Sequence, residues 1–376
     1  ERALLLGTPS RDQAAIAETL QGIGGALRVS VDADRLLLAG ESLSSGMADL
    51  LALLEEVVTS AAYPKDEAAR ERDRLAEQLR RAWSEPGVVA DETWLARAFG
   101  EHPYGREHPT PEEMLDVAPS TLRAAHRRRL TPDGALLVLV GDLAPARMLD
   151  RVEAALGDWT SSARGTAVPR VPVLEPGPVV LVDRPGAVQS NLRVGGPAVG
   201  RTDPDFAALE LANALFGGYF SSRLTRNIRE DKGYTYSPHS MIHQAVGGAT
   251  LLLQADVATE VTAPALLEVV YELGRIATVA PSEQEVRDTA QYLVGSLALS
   301  TSTQSGLANT LTSLAAQGLD VGWLREHPQR LLAVTPDQVL EVAGRYLSPA
   351  RLVTTVGGDA SAVAEPLSRL GEVITG

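Results

Sequence analysis

Cysteine is absent from all 376 residues. That excludes a disulfide framework and any thiolate metal site, and it fits a reducing, cytoplasmic setting. Aromatic residues are scarce, with 4 Trp, 8 Tyr and 4 Phe, so the core has to be built from Leu, Val and Ala. Positive charge is short as well: 34 Lys and Arg stand against 48 Asp and Glu, a net charge of -14. A duplex-binding protein needs a basic face, so nucleic acid is not an expected partner. No apolar run reaches the roughly 18 residues of a spanning helix, and no signal-peptide pattern opens the chain, so no membrane association is expected.

What is present is ordinary globular chemistry, 44% hydrophobic and 22% charged, in a chain long enough for two or three domains. It also repeats itself. The segment from Val117 aligns without a gap to that from Val334, an offset of 217 residues, with identities at Pro119/Pro336, Arg128/Arg345, Leu130/Leu347, Pro132/Pro349, Gly141/Gly358 and Asp142/Asp359. These pairs fall at punctuation: a helix start, a proline turn, and a Gly-Asp stop after an apolar run. The match extends upstream, where Leu36 and Leu251 open similar stretches and Pro64 and Pro281 precede charged helical segments. Residues 54–80 and 281–297 carry helical periodicity, and 135–140 and 351–356 read as short strands.

The expected fold is therefore α+β with two homologous halves, each an antiparallel sheet covered by helices. The first half is 1–160, a Pro-, Gly- and Ser-rich linker is 161–178, and the second half is 179–376. One region breaks the symmetry. Gly24-Gly25 corresponds to Gly217-Gly218, but the second copy then carries about 22 extra residues, 219–240, before the match resumes. Scaffolds carry chemistry on such loops, so this insertion is the first place to look for function.

The extra segment resembles the second-half signature of the mitochondrial-processing-peptidase-like zinc metallopeptidases, relatives of pitrilysin and insulysin. The matching positions are Gly217, Gly218, Ser221, Ser222, Arg223, Leu224, Arg229, Glu230, Gly233 and Tyr236. The stretch from Gly100, the two Gly-Asp strand endings and the duplication extend the resemblance over essentially the whole chain. It implies that Arg229 and Tyr236 hydrogen-bond the substrate backbone beside the scissile bond, an oxyanion-type contribution. It also implies that Gly217, Gly218, Ser221 and Ser222 help bind substrate.

Active members of that family hold zinc with an inverted H-x-x-E-H motif and a Glu about 76 residues further on, the motif Glu acting as base. Aligned on the following apolar stretch and Gly7-Thr8, Glu1 stands at the base, Arg2 at the second His and Gln78 at the distal Glu, while Glu71 is retained; the first His position falls before Glu1. Arginine is permanently charged and has no acceptor, and a neutral Gln oxygen is a poor zinc ligand. Glu77 lies about 100° around the helix from Gln78 and does not restore the site. No metal or other cofactor is expected in this chain. The resemblance implies the partner role: zinc on a paralogous peptidase subunit, this chain supplying Arg229 and Tyr236, and the two closing as a clamshell around an unfolded peptide such as a leader peptide. The alternatives are a structural scaffold and a peptide-binding protein with no part in catalysis.

Other features read more plainly. His239 and His243 have a helical metal spacing, but Pro238 and the run toward Gly247 point to a strand. Tyr234 sits off the motif spacing and reads as a half-buried core aromatic. His126 and the three arginines after it read as a solvated or salt-bridged helix face, and the Gly pairs as helix ends or turns.

Overall fold

The computed structural model describes residues 1–161, 163 and 165–376. They form two compact units that exchange segments of chain: 1–82, 108–168 and 301–312 make one, and 83–107, 169–300 and 313–376 make the other. The halves drawn at 160 and 179 divide the chain by internal similarity, and the compact units cross that division.

In the first unit, helix α1 (Gln13–Gly22) leads into the hairpin β1 (Ala26–Val31) and β2 (Leu36–Glu41), followed by α2 (Met47–Ser60) and α3 (Lys65–Ser84). Helices α5 (Pro111–Leu115), α6 (Pro119–Arg129) and α7 (Pro145–Leu156) complete it. Its core gathers Leu4, Ile16, Leu27, Leu53, Val57 and Tyr63. His126 is buried beside them. Its Nδ1 lies 2.8 Å from the Tyr63 hydroxyl and its Nε2 lies 2.9 Å from the Val58 carbonyl. The Val58 carbonyl can only accept, so Nε2 carries the proton and Nδ1 accepts from the phenol. Burial lowers the His126 pKa and pushes that of Tyr63 up to about 12. His126 is thus a satisfied core residue, while Arg127, Arg128 and Arg129 are exposed.

The second unit is built on a six-stranded sheet of order β5-β6-β4-β7-β3-β8, with β3 (Val179–Asp183), β4 (Gln189–Ala198), β5 (His239–Ala245), β6 (Gly248–Ala258), β7 (Val353–Gly358) and β8 (Val373–Thr375). Strands alternate their side chains between faces. Leu192 and Val194 of β4 share one face with Leu251, Leu253 and Ala255 of β6, and all five are buried in the main core. That core is completed by α8 (Phe206–Asn213), α9 (Thr262–Thr278), α10 (Glu283–Ser300), α13 (Pro336–Tyr346) and α14 (Ala360–Ser368), while α11 (Gln304–Ala315) and α12 (Val321–Leu332) lie between α10 and α13 in the chain.

The opposite face is covered by α4 (Pro86–Phe99), which comes from the first half of the sequence. Trp94, 1% exposed, packs with Ala98, Leu252 and Val353. A Cβ on Gly195 would lie 2.6 Å from the Trp94 ring and 2.4 Å from the Leu251 carbonyl, so only glycine permits this close approach. Beside Trp94 the contact turns polar. Arg193, buried, pairs with Asp91 of α4 and lies 3.1 Å from Asp256. Asn191 donates to the same Asp256 at 2.7 Å. The buried charge is therefore paired on two sides, as burial demands.

Two details differ from expectation. The large sheet is mixed: β4, β5, β6 and β7 pair antiparallel, but β3 runs parallel to both β7 and β8. β3 and β7 are joined by a long stretch of chain rather than a hairpin, so nothing forces them antiparallel. Residues 135–140 form no strand, and Leu136 and Leu137 are exposed. A β-rich run becomes a strand only with a neighbour to complete its ladder, and the first unit's described strands pair only with each other.

Candidate functional site

Local sequence explains how the extra segment of the second copy is shaped. The chain leaves α8 through a π-helical turn, Ala214–Gly218. Gly217 is buried there against Ser240, and Gly218 is exposed. Ser222 is buried and caps the next turn: its hydroxyl donates to the Thr225 hydroxyl at 3.0 Å and accepts from the Thr225 N–H at 3.3 Å. Ser221 is exposed. Arg223 is fixed by Glu285 through Nε at 3.1 Å and Nη2 at 2.9 Å.

A second π-helical turn, Thr225–Asp231, carries Arg229. Such turns are rare and need support. Asn227 supplies it, donating to Glu268 at 3.0 Å and to Glu272 at 2.9 Å, both on α9. Lys232 adds an ion pair to Glu268 at 3.0 Å. Burial raises the pKa of the Glu268 carboxyl, but the Asn227 and Lys232 contacts outweigh it, and the net shift is downward. Gly233 then takes φ +67°, a left-handed conformation that favours glycine. The N–H groups of Gly233 and Tyr234 close onto the carbonyls of Arg229 and Ile228 at 3.1 and 2.8 Å. Tyr234 packs against the main core, as its spacing suggested. Thr235 anchors the return by donating to the Asp256 carbonyl at 2.6 Å.

This reversal brings Tyr236 back over Arg229. The guanidinium carbon sits 4.8 Å from the Tyr236 ring centroid and 4.4 Å from that of Phe220. Arg229 is held between two aromatic faces, a cation–π sandwich. Its Nε pairs with Glu230 at 3.3 Å. Among the described residues no hydrogen bond engages its terminal nitrogens or the Tyr236 hydroxyl, and Tyr236 is 80% exposed. The segment presents unspent donors on a braced base. Phe220 belongs to this arrangement and sequence reasoning passed over it; the available signal was a Phe beside the motif in a chain that has only four.

The first unit brings together the other set of residues. Glu1 and Arg2 lie at the N-terminal 3-10 turn, Arg2–Leu5, and Glu71 and Gln78 lie two turns apart on one face of α3. The Glu1 carboxylate accepts from the Val31 N–H at 2.9 Å. The Arg2 guanidinium reaches Glu71 at 3.7 Å and Glu1 at 4.0 Å. Glu71, with its side chain 14% exposed, is also gripped by Arg74 at 3.0 and 2.8 Å. A fixed positive charge thus stands among the carboxylates that a metal would need. Among the described residues no group of three His, Cys, Asp or Glu side chains could hold a metal ion. Zinc does not fit these residues, because Arg2 repels it and its charge already satisfies Glu71.

His239 and His243 lie on strand β5, not on a helix. His239 is bonded to Gln254 at 3.0 Å, and burial lowers the pKa of His243. A cleft of about 500 Å³ lies along α6, lined by Ser120, Thr121, Ala124, Arg127 and Arg128. These residues are one face of a single helix, and none belongs to either set described above.

Fold and site together define a metallopeptidase-like chain whose first copy carries Arg2 and Gln78 beside Glu1 and Glu71 and whose second copy carries the braced Arg229. The profile described as "Insulinase (Peptidase family M16)" matches residues 1–112, and that described as "Peptidase M16 inactive domain" matches 116–293. An uncharacterized zinc protease of Mycobacterium leprae is 26% identical over 357 residues, which cover 93% of this chain and 79% of the relative. The crystal structure of a peptidase M16 inactive domain from Pseudomonas fluorescens superposes with a TM-score of 0.88 at 22% identity, covering 95% of this chain and 86% of that one. A protease from Helicobacter pylori superposes with a TM-score of 0.86 at 18% identity, covering 95% and 87%. The chain belongs to peptidase family M16. No helix among the described residues is long and apolar enough to cross a membrane.

Proposed function

We propose that this chain is the non-catalytic, peptide-holding subunit of a heterodimeric zinc metalloendopeptidase. The zinc belongs to a paralogous partner with an intact inverted motif, and this chain contributes Arg229 and Tyr236 to the shared active site. One observation carries the reading: the Arg229–Tyr236 pair is braced and open-ended, while the metal positions hold Arg2 and Gln78.

In this reading an extended peptide lies along the segment. Arg229 and the Tyr236 hydroxyl donate to a backbone carbonyl, and the charge that gathers on that oxygen during attack strengthens both bonds. Gly218 and Ser221, both exposed, offer backbone to the substrate; Gly217 and Ser222 shape the turn from beneath. The substrate class is unfolded peptide, such as a leader peptide, and the setting is the cytoplasm, with no nucleic-acid or membrane partner.

The test is reconstitution. The chain alone is expected to hold no stoichiometric zinc and to cleave nothing. Mixed with a paralogue from the same genome that carries H-x-x-E-H, it is expected to form a heterodimer by size-exclusion and to cut a casein-derived peptide mixture. One tightly held zinc per isolated chain, or a partner fully active without this chain, would overturn the proposal in favour of a scaffold or a separate peptide-binding role.

A further inference from the structure

Five of the sixteen aromatic side chains of this chain are Tyr219, Phe220, Tyr234 and Tyr236 of the extra segment together with Tyr292, which stacks on Tyr219 at 4.8 Å. Two of the five, Phe220 and Tyr236, flank Arg229. Phe220 is 66% exposed. A large apolar ring in water is unfavourable unless something covers it. Here the segment is anchored on both sides of Phe220, by π-helical geometry before it and by the Ser222 cap and the Arg223–Glu285 pair after it. The ring is therefore held in place rather than left to collapse inward. One of its faces is taken by Arg229 and the remainder is open.

We infer that Phe220 is a specificity-determining residue: it forms the wall of a subsite for an apolar or aromatic side chain of the bound peptide, on the residue next to the carbonyl that Arg229 grips. This rests on the gripping role of Arg229 given above. The chemistry follows from the stack. A peptide whose carbonyl reaches the guanidinium edge passes within side-chain reach of the Phe220 ring, because ring and guanidinium are in face contact. An apolar side chain there buries itself and the exposed ring together, and an aromatic one gains an offset or edge contact. Alanine at that peptide position leaves the ring wet. Phe220 also restrains the guanidinium plane, so its loss weakens the grip on every peptide somewhat, whereas the side-chain preference depends on the ring itself.

The experiment titrates the full chain into two short probes, trifluoroacetyl-Ala-Phe-Ala-amide and trifluoroacetyl-Ala-Ala-Ala-amide, and reads fluorine line broadening. Far-UV circular dichroism of each variant confirms folding. The wild type is expected to bind the Phe probe about 3- to 10-fold more tightly than the Ala probe, the scale of one aromatic contact. Phe220→Ala abolishes that preference, and Phe220→Tyr retains it. Arg229→Ala weakens both probes together. If Phe220→Ala weakens both probes equally and keeps the preference, the ring only props Arg229 and the subsite is refuted while the gripping role stands. If Arg229→Ala binds both probes as the wild type does, or the wild type binds neither, the gripping role fails and the subsite with it.

Discussion

The two copies of the duplicated unit reach their β-hairpins by very different routes. In the first, β1 begins at Ala26, two residues after Gly24; in the second, β5 begins at His239, 22 residues after Gly217. On either side the copies keep step. Helix α1 starts at 13 and α8 at 206, α2 at 47 and α9 at 262, α6 at Pro119 and α13 at Pro336. The two halves share this order of elements, and only the second carries the segment with Arg229 and Tyr236. The other copy holds the family's metal positions, and there the chemistry has been replaced by an Arg2–Glu71 ion pair. On the proposed function, gripping and hydrolysis would occupy separate pieces of this fold, so that one could be lost while the other stays built.

The largest effect that would test this comparison lies in how the copies are packed. Trp94 comes from the first half of the sequence but is buried on the second unit's sheet. Trp94→Ala is expected to destabilise the second unit by about 3–5 kcal/mol, the usual cost of emptying a fully buried aromatic site. Urea unfolding followed by circular dichroism measures it, and a cost below about 1 kcal/mol would detach α4 from that unit's core.

A smaller effect separates the architecture of the extra segment from its working surface. Ser222→Ala removes a buried cap and is expected to cost about 1 kcal/mol, whereas Ser221→Ala, at an exposed position, should stay within about 0.5 kcal/mol. Equal costs in thermal unfolding would mean that the two serines are not divided in this way.

The smallest effect is a pH dependence confined to the first unit. Burial lowers the folded-state pKa of His126 below its ordinary value of 6.5. Between the lowered pKa and 6.5 the unfolded chain therefore binds the extra proton, and stability rises with pH through that window. Acidifying from pH 7 to 5 should lower the melting temperature of the wild type more than that of His126→Gln. Parallel pH profiles would contradict the neutral, doubly bonded His126.

Much of this was legible in the sequence because the signals are local. Pro119 and Pro336 sit at the first helical position of α6 and α13, a place where proline loses nothing. The strand character of His239–Ala245 followed from Pro238 and the run behind it, and the seven-residue spacing of Arg229 and Tyr236 matched a motif. What escaped depends on partners far along the chain. Residues 135–140 carry β-rich composition, but composition cannot show whether a neighbouring strand exists. The placement of α4 depends on Gly195, a hundred residues away. The sandwiching of Arg229 by Phe220 depends on a left-handed turn at Gly233 and a clamp from α9, neither of which is a pattern in the chain.

The most direct measurement concerns the reconstituted pair. Arg229→Ala and Tyr236→Phe, singly and together, are assembled with the wild-type zinc-bearing partner, and heterodimer size, zinc content and peptide turnover are measured on the same samples. The account predicts intact heterodimers with unchanged zinc and turnover reduced about 10- to 10³-fold by each single change, the range for loss of one oxyanion donor. The double variant should lose less than the product of the two single effects, because both groups serve one carbonyl. An assembled double variant that cuts at the wild-type rate would contradict the account and leave this chain a scaffold.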